Sequence, residues 1–220
     1  MSNGIADDKH LNRDLIEKTM NEIFPGIQMF VRDLFMPDEL AAKYEPERII
    51  MERGFTDGTN RVMGMMTPYR FTILSNHMPD ISFMEHGTNW GLHVARANSH
   101  FKILDRYEHE GKTQILLLHL PDDERWKMFE TMKFSIEDDL IATSRQRFEV
   151  KSRSEVVPEL ATMEWLKRVA KPVGMDLSGN FFDLDLLPGE FNFDENDPSG
   201  VVKSIKDMDD FLKKSVQQRR

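Results

Sequence analysis

The chain has 220 residues, 40% of them hydrophobic and 30% charged. That is enough apolar material for one substantial core, and too much for a chain disordered throughout. It contains no cysteine, which excludes disulfides, thiolate metal sites, iron–sulfur clusters and cysteine nucleophiles. A formal net charge of −9 repels phosphate backbones on average, so nucleic acid is not an expected partner.

In chain order, Lys9 to Phe24 reads as an amphipathic helix. Leu11, Leu15, Ile16, Met20, Ile23 and Phe24 recur at helical spacing, and Pro25-Gly26 stops it. Ile27 to Phe35 is of undecided type. Pro37 to Tyr44 suits a short helix with Pro37 in its first turn. Residues 46 to 68 carry Gly54, Asp57-Gly58, Gly64 and Pro68, and predict turns with one short strand.

From Tyr69 the character becomes strand-like. Tyr69–Ser75 is rich in aromatic and β-branched residues, and Trp90–Ala95 is a second candidate. Phe101–Glu108 and Thr113–Leu120, joined by His109-Glu110-Gly111-Lys112, predict an antiparallel hairpin. Pairing Glu108 with Thr113 would set Leu104 opposite Leu117 and Lys102 opposite His119. The run Ile115-Leu116-Leu117-Leu118 is apolar on both faces, so its strand belongs inside the sheet.

Helices are expected to cover that sheet. One opens at Pro121-Asp122-Asp123-Glu124 and carries Trp126, Phe129 and Met132. A second starts behind Ser135 as its cap, with Asp138 three residues on. Arg145, Arg147, Lys151 and Arg153 near its end read as a solvated cap to the helix dipole. A third begins near Pro158 with Leu160, Met163, Leu166 and Val169 inward. A turn at Leu177-Ser178-Gly179-Asn180 follows. Then comes an arm, 176–198, of alternating aromatics and acids. Its acids Asp194-Glu195-Asn196-Asp197 lack the spacing of a calcium loop. Val201 to Val216 is the last helix. The fold expected is a single α+β domain over 1–220. It is built on a mainly antiparallel sheet of about four to six strands (core 69–120), covered by helices (121–170), with a C-terminal acidic arm and helix.

Six of the seven histidines fall between His77 and His119, and histidine is the side chain most often used as metal ligand and proton carrier near neutral pH. Their spacings match no metal signature, and no nucleophile elbow, phosphate loop or zinc-protease motif is present. No catalytic residue, metal or cofactor is therefore assigned. The connection between the first two strands is longer than a hairpin needs. Long ordered connections in compact domains tend to carry function. Asn76, His77, Asp80, Glu85, His86, Asn89 and Trp90 in it are the expected ligand- or partner-binding residues. The function expected is a non-enzymatic protein- or ligand-binding module using the 76–90 loop. The alternative is an enzyme or metal-dependent ligand binder using the histidine-rich segment 77–119. The partner is expected to be a protein or a small molecule, a second copy included. With no leader-like start and no run near the ~20 apolar residues that span a bilayer, a cytoplasmic location away from membranes is expected.

Overall fold

A computed structural model describes residues 4–191 and 201–217, with side chains from residue 13 and, in the last helix, from residue 203. The elements are α1 (Gly4–Ile23), β1 (Gln28–Leu34), α2 (Asp38–Ala41), β2 (Ile49–Glu52), β3 (Thr56–Thr59), β4 (Tyr69–Ser75), β5 (Leu92–Ala95), β6 (Ser99–His109), β7 (Lys112–His119), α3 (Met128–Thr131), α4 (Ile136–Lys151), α5 (Met163–Arg168) and α6 (Val201–Gln217). Among the described residues no helix is long and apolar enough to cross a membrane.

All seven strands form one sheet in the order β2-β6-β7-β4-β1-β3-β5. The α+β class is as expected, but the expected sheet needs correcting. It has seven strands, and it is mixed because β4 and β7 run parallel. The strands beyond the sequence reading are β1 and one of the two short strands β2 and β3, all before residue 69. Residues 27–35, left undecided, supply β1, and residues 46–68 hold two short strands rather than one.

Each face of the sheet has its own apolar cluster, set by the period-two alternation of strand side chains. On one face Phe30, Phe71, Ile73, Phe101, Ile103, Ile115 and Leu117 pack with Tyr44, Val173 and Met175. On the other, Leu74, Leu104, Leu116 and Leu118 meet Ile23 and Phe24 of α1, then Trp126, Phe129 and Phe134. The run Ile115–Leu118 is fully buried on β7, an interior strand as expected. Burying four such side chains stabilises by roughly 1.5–3 kcal/mol each. A third cluster at the β5 end joins Ile81, Trp90, Leu92 and Val94 to Trp165, Val169 and, from α6, Leu212.

The hairpin register holds from Glu108↔Thr113 to Asp105↔Leu116, then shifts by one at a bulge between Ile103 and Asp105. Ile103, not Leu104, faces Leu117, and Phe101, not Lys102, faces His119. The extra residue turns Leu104 and Asp105 to one face. Leu104 enters the second cluster, and Asp105 receives two Arg145 N–H bonds of 2.7 Å from α4. Arg145 and Arg153 (the latter on Glu110) thus latch the 145–153 segment to the hairpin, where a solvated cap was expected.

Smaller expectations also shift. The Pro121 helix opens as a 3-10 turn, Glu124–Lys127, before α3. Ser135 makes no side-chain cap; Glu137 Oε1 accepts the Phe134 N–H instead. Thr162 caps α5, so Trp165 and Val169 turn inward while Met163 lies exposed. At 177–180 Asp176 accepts the N–H groups of Ser178 and Asn180, and a single bridge, Met175↔Phe181, closes the turn. In the acidic arm, Phe193, Asp194, Glu195 and Asp197 lie outside the described residues.

Candidate functional site

Parallel neighbours end together. Because Leu74 of β4 stands opposite Leu118 of β7, the residues that follow, Ser75-Asn76-His77 and His119-Leu120-Pro121-Asp122, leave the sheet side by side. Ligands commonly gather at the carboxyl ends of parallel strands. Here His77, His119 and Asp122 converge, each offering one ligand atom, with all three atoms within 4.8 Å of one another. The two imidazoles stack with centroids 3.9 Å apart. Asp122 Oδ1 lies 3.9 Å from His77 Nε2 and 4.0 Å from His119 Nε2.

The surrounding hydrogen bonds orient each ring. Asn76 Nδ2 donates to the carbonyls of Glu22 and Pro25 at 2.6 and 3.1 Å, which turns its Oδ1 toward His77 Nδ1 at 2.9 Å. Nδ1 of His77 therefore carries a hydrogen, and its Nε2 lies on the cluster side, 3.9 Å from Asp122 Oδ1. Ser75 Oγ lies 2.9 Å from His119 Nδ1 and accepts the His77 backbone N–H at 3.1 Å. His119 Nε2 is buried and has no hydrogen-bond partner among the described residues, nor does Asp122 Oδ1. Asp122 Oδ2 accepts from Arg96 Nη1 at 3.2 Å, so the carboxylate's other oxygen is turned to the histidines.

Burial holds the His119 imidazole neutral, its pKa pushed well below the usual histidine range, with His77, His100 and Arg96 adding repulsion. His100 lies flat on Trp126, ring centroids 4.3 Å apart, and burial lowers its pKa to about 4. The donor set is thus an imidazole pair, His119 neutral, with one carboxylate, the composition of zinc and non-haem iron centres with open positions. Nε2–Oδ1 separations of 3.9 and 4.0 Å exceed the about 3.3 Å edge of a tetrahedral zinc site by about 0.6–0.7 Å, and the stacked rings would have to turn for both Nε2 atoms to meet one ion. By donor type the three residues suit a divalent transition metal. Asp122 is the most exposed of the three, and with Arg96 and His77 it lines a cavity of about 210 Å³. His77 also lines a larger cleft of about 810 Å³ bounded by Asn21, Glu22 and Asn76.

Ser75, His119 and Asp122 also have the residue types of a nucleophilic triad. Ser75 is 1% exposed, so no substrate carbonyl reaches its hydroxyl, and acyl transfer there is excluded on access.

Among the residues expected to bind, the structure brings His77 to the cluster and puts Asn76 behind it. The others are placed elsewhere. Glu85 is buried and accepts the N–H groups of Trp90 and Leu92 at 2.6 and 2.5 Å, stapling the loop to itself. Asp80 caps Ser82 N–H. His86 and Asn89 are exposed at positive φ. Trp90 is buried against Trp165, its indole N–H on the Glu159 carbonyl. His93 packs at a tilt against Phe30, and His109 meets Arg153. Sequence reasoning missed Asp122, taken for a helix-start acid, and the support from Ser75 and Arg96. The one available signal was His119-x-x-Asp122 at a strand end.

No family model matches the chain, and no curated protein does. Solved structures do. Exoenzyme S from Pseudomonas aeruginosa, in complex with human 14-3-3 protein β and bound to carba-NAD, is 15% identical with a TM-score of 0.38, covering 60% of this chain and 64% of that one. ADP-ribosyltransferase HopU1 of Pseudomonas syringae pv. tomato is 20% identical at 0.37, covering 44% and 46%. The type III effector XopAI from Xanthomonas axonopodis pv. citri is 14% identical at 0.37, covering 43% and 41%. The chain thus spans between 41 and 64% of the length of these neighbours. Likeness of this order does not pair residues between the chains. The expectation of a non-enzymatic interaction module built on the 76–90 loop is corrected all the same. The loop spends Glu85, Asp80 and Trp90 on its own fold rather than on a partner.

Proposed function

We propose that this chain is a metal-dependent enzyme that holds one divalent transition metal, zinc foremost, on His77, His119 and Asp122. The observation that carries the reading is the convergence of three ligand atoms from two strand ends, with the buried His119 Nε2 aimed into the cluster and otherwise unpartnered among the described residues. Hydrogen bonds behind a ligand set orient it and raise its affinity, and here Asn76, Ser75 and Arg96 supply them. A metal so held acts as Lewis acid and lowers the pKa of a bound water. The substrate class that suits this is a small polar molecule hydrolysed in the cleft beside His77, with Glu22 and Asn21 as its polar wall.

The experiment is a metal titration. The chelator-stripped chain, followed by native mass spectrometry, takes up one zinc per chain, and the His77→Ala and His119→Ala variants lose it while staying folded. Uptake unchanged in both variants refutes the reading. One arm addresses the activity named for the neighbours. Nicotinamide release from NAD that survives chelation and both substitutions would move the chemistry away from this cluster.

A further inference from the structure

Arg96 stands between two carboxylates from distant parts of the chain. Its Nε and Nη2 donate to Asp209 Oδ1 and Oδ2 on α6 at 2.9 and 2.5 Å, and its Nη1 donates to Asp122 Oδ2 at 3.2 Å. Arg96 and Asp209 are both nearly solvent-free. The turn 187–190 closes over them. A Cβ on Gly189 would lie 2.5 Å from Arg96 Nη2 and 3.0 Å from Asp209 Oδ2. Asn98, two residues from Arg96, donates to the Glu190 carbonyl at 2.5 Å. The rest of the helix is anchored by Leu212, fully buried against the third cluster, and its far end lines the cavity that holds Asp122. A bidentate guanidinium has a fixed fork. Once Asp209 sets that fork, the directions of the three remaining N–H groups are fixed, and one of those on Nη1 points at Asp122.

We infer that Asp209 is a positioning residue for the metal site, and that seating of α6 and loading of metal are therefore one coupled equilibrium. The inference rests on the metal reading above. With α6 seated, Arg96 holds Asp122 so that Oδ1 faces both histidines. With α6 lifted, Arg96 has lost its two anchors, and the carboxylate is free to rotate away. Coupling of this kind is reciprocal: whatever α6 adds to metal affinity, metal adds to the seating of α6. The C-terminal helix then serves as a sensor of the loaded site, and an agent that pulls it off releases the metal.

The test has two readouts. Zinc affinity is measured by competition with a chromophoric chelator for the wild-type chain, Asp209→Asn and Arg96→Gln, with cooperative urea unfolding as the check on folding. Asp209→Asn and Arg96→Gln should each weaken zinc about 10–100-fold, the range for lost outer hydrogen bonds. In Asp209→Glu, which keeps the charge, affinity should recover in part. The second readout uses the unaltered chain: amides of α6 should exchange more slowly with zinc bound than without. A wild-type chain that binds no zinc overturns the metal reading and this inference with it. A wild-type chain that binds zinc, with Asp209→Asn equal to it or with α6 exchange indifferent to zinc, overturns this inference alone.

Discussion

Lys102 and Glu137 form an ion pair in the interior, with Nζ 3.0 and 3.3 Å from the two carboxylate oxygens and side chains 1% and 0% exposed. One comes from β6 and the other from the first turn of α4, so the pair fastens helix to sheet. Glu137 also accepts the Phe134 N–H at 3.1 Å, and Lys102 reaches the Met132 carbonyl at 3.3 Å and the exposed Glu47 at 2.8 Å. Lys102→Met removes the cation and leaves a buried carboxylate whose remaining described donor is one backbone N–H. Breaking a buried pair in this way costs roughly 3–5 kcal/mol. For a chain of this size that lowers the melting temperature by on the order of 10 °C. In Lys102→Met/Glu137→Leu both buried charges are gone; the Phe134 N–H loses an acceptor and the Met132 carbonyl a donor, at about 1 kcal/mol each, and the exposed Glu47 returns to water. Urea unfolding followed by tryptophan fluorescence gives the four corners of the cycle. The double variant should lie within about 2 kcal/mol of wild type and well above Lys102→Met alone. Lys102→Met within about 1 kcal/mol of wild type would refute the reasoning, since Glu137 would then be solvated and α4 not seated on the sheet.

Four further outcomes follow from the same geometry. His100 has a folded pKa near 4 against the usual 6.5, lowered by burial and Lys127 and raised in part by Asp122 and Glu124. The unfolded chain therefore binds the extra proton between those values, and stability falls as pH drops from about 6.5 toward 4, by about 3 kcal/mol in all. His100→Phe keeps the stack on Trp126 and should flatten that part of a urea-midpoint profile; an unchanged slope would place His100 in water. Leu117→Asp puts an unpaired charge at the centre of the sheet and should abolish cooperative folding, so a soluble, cooperatively unfolding variant would contradict the assignment of β7. Glu85→Ala removes an acceptor shared by two buried amides, and hydrogen exchange at Trp90 and Leu92 should accelerate to match about 2–4 kcal/mol of local destabilisation. Ser75→Ala takes the hydroxyl from the buried His119 Nδ1 and His77 N–H. It should cost about 1–3 kcal/mol in urea unfolding and weaken zinc about 10–100-fold in the chain that still folds, whereas equal zinc affinity would show that the His119 ring needs no support.

The legible parts of this fold were those whose cause is local. Tyr69–Ser75 and the hairpin around Gly111 carry their own propensities and turn, and Ile115–Leu118 announces burial on both faces without reference to anything else. Strand β1 was not legible because it carries a buried Arg32 and a half-buried Asp33 in mid-strand. Arg32 donates to the Val169 and Lys171 carbonyls, and Asp33 pairs with Arg70. Those partners lie up to 139 residues away. The hairpin register failed where Asp105 is claimed by Arg145, forty positions on. The site divides in the same way. His77 and His119 stood out by residue type, but their meeting depends on β4 and β7 lying parallel and adjacent, which no local pattern signals. Asp122 had a sufficient explanation as a helix-start acid, and Arg96 had none until Asp209 arrived from the far end of the chain.

The most direct test of the central claim is anomalous diffraction at the zinc edge from crystals of the chelator-stripped protein soaked in zinc. The account predicts one dominant peak within about 2.0–2.2 Å of His77 Nε2, His119 Nε2 and an Asp122 oxygen. A crystal with no peak there, or with its dominant peak on the exposed His86 or among the surface carboxylates, would contradict it.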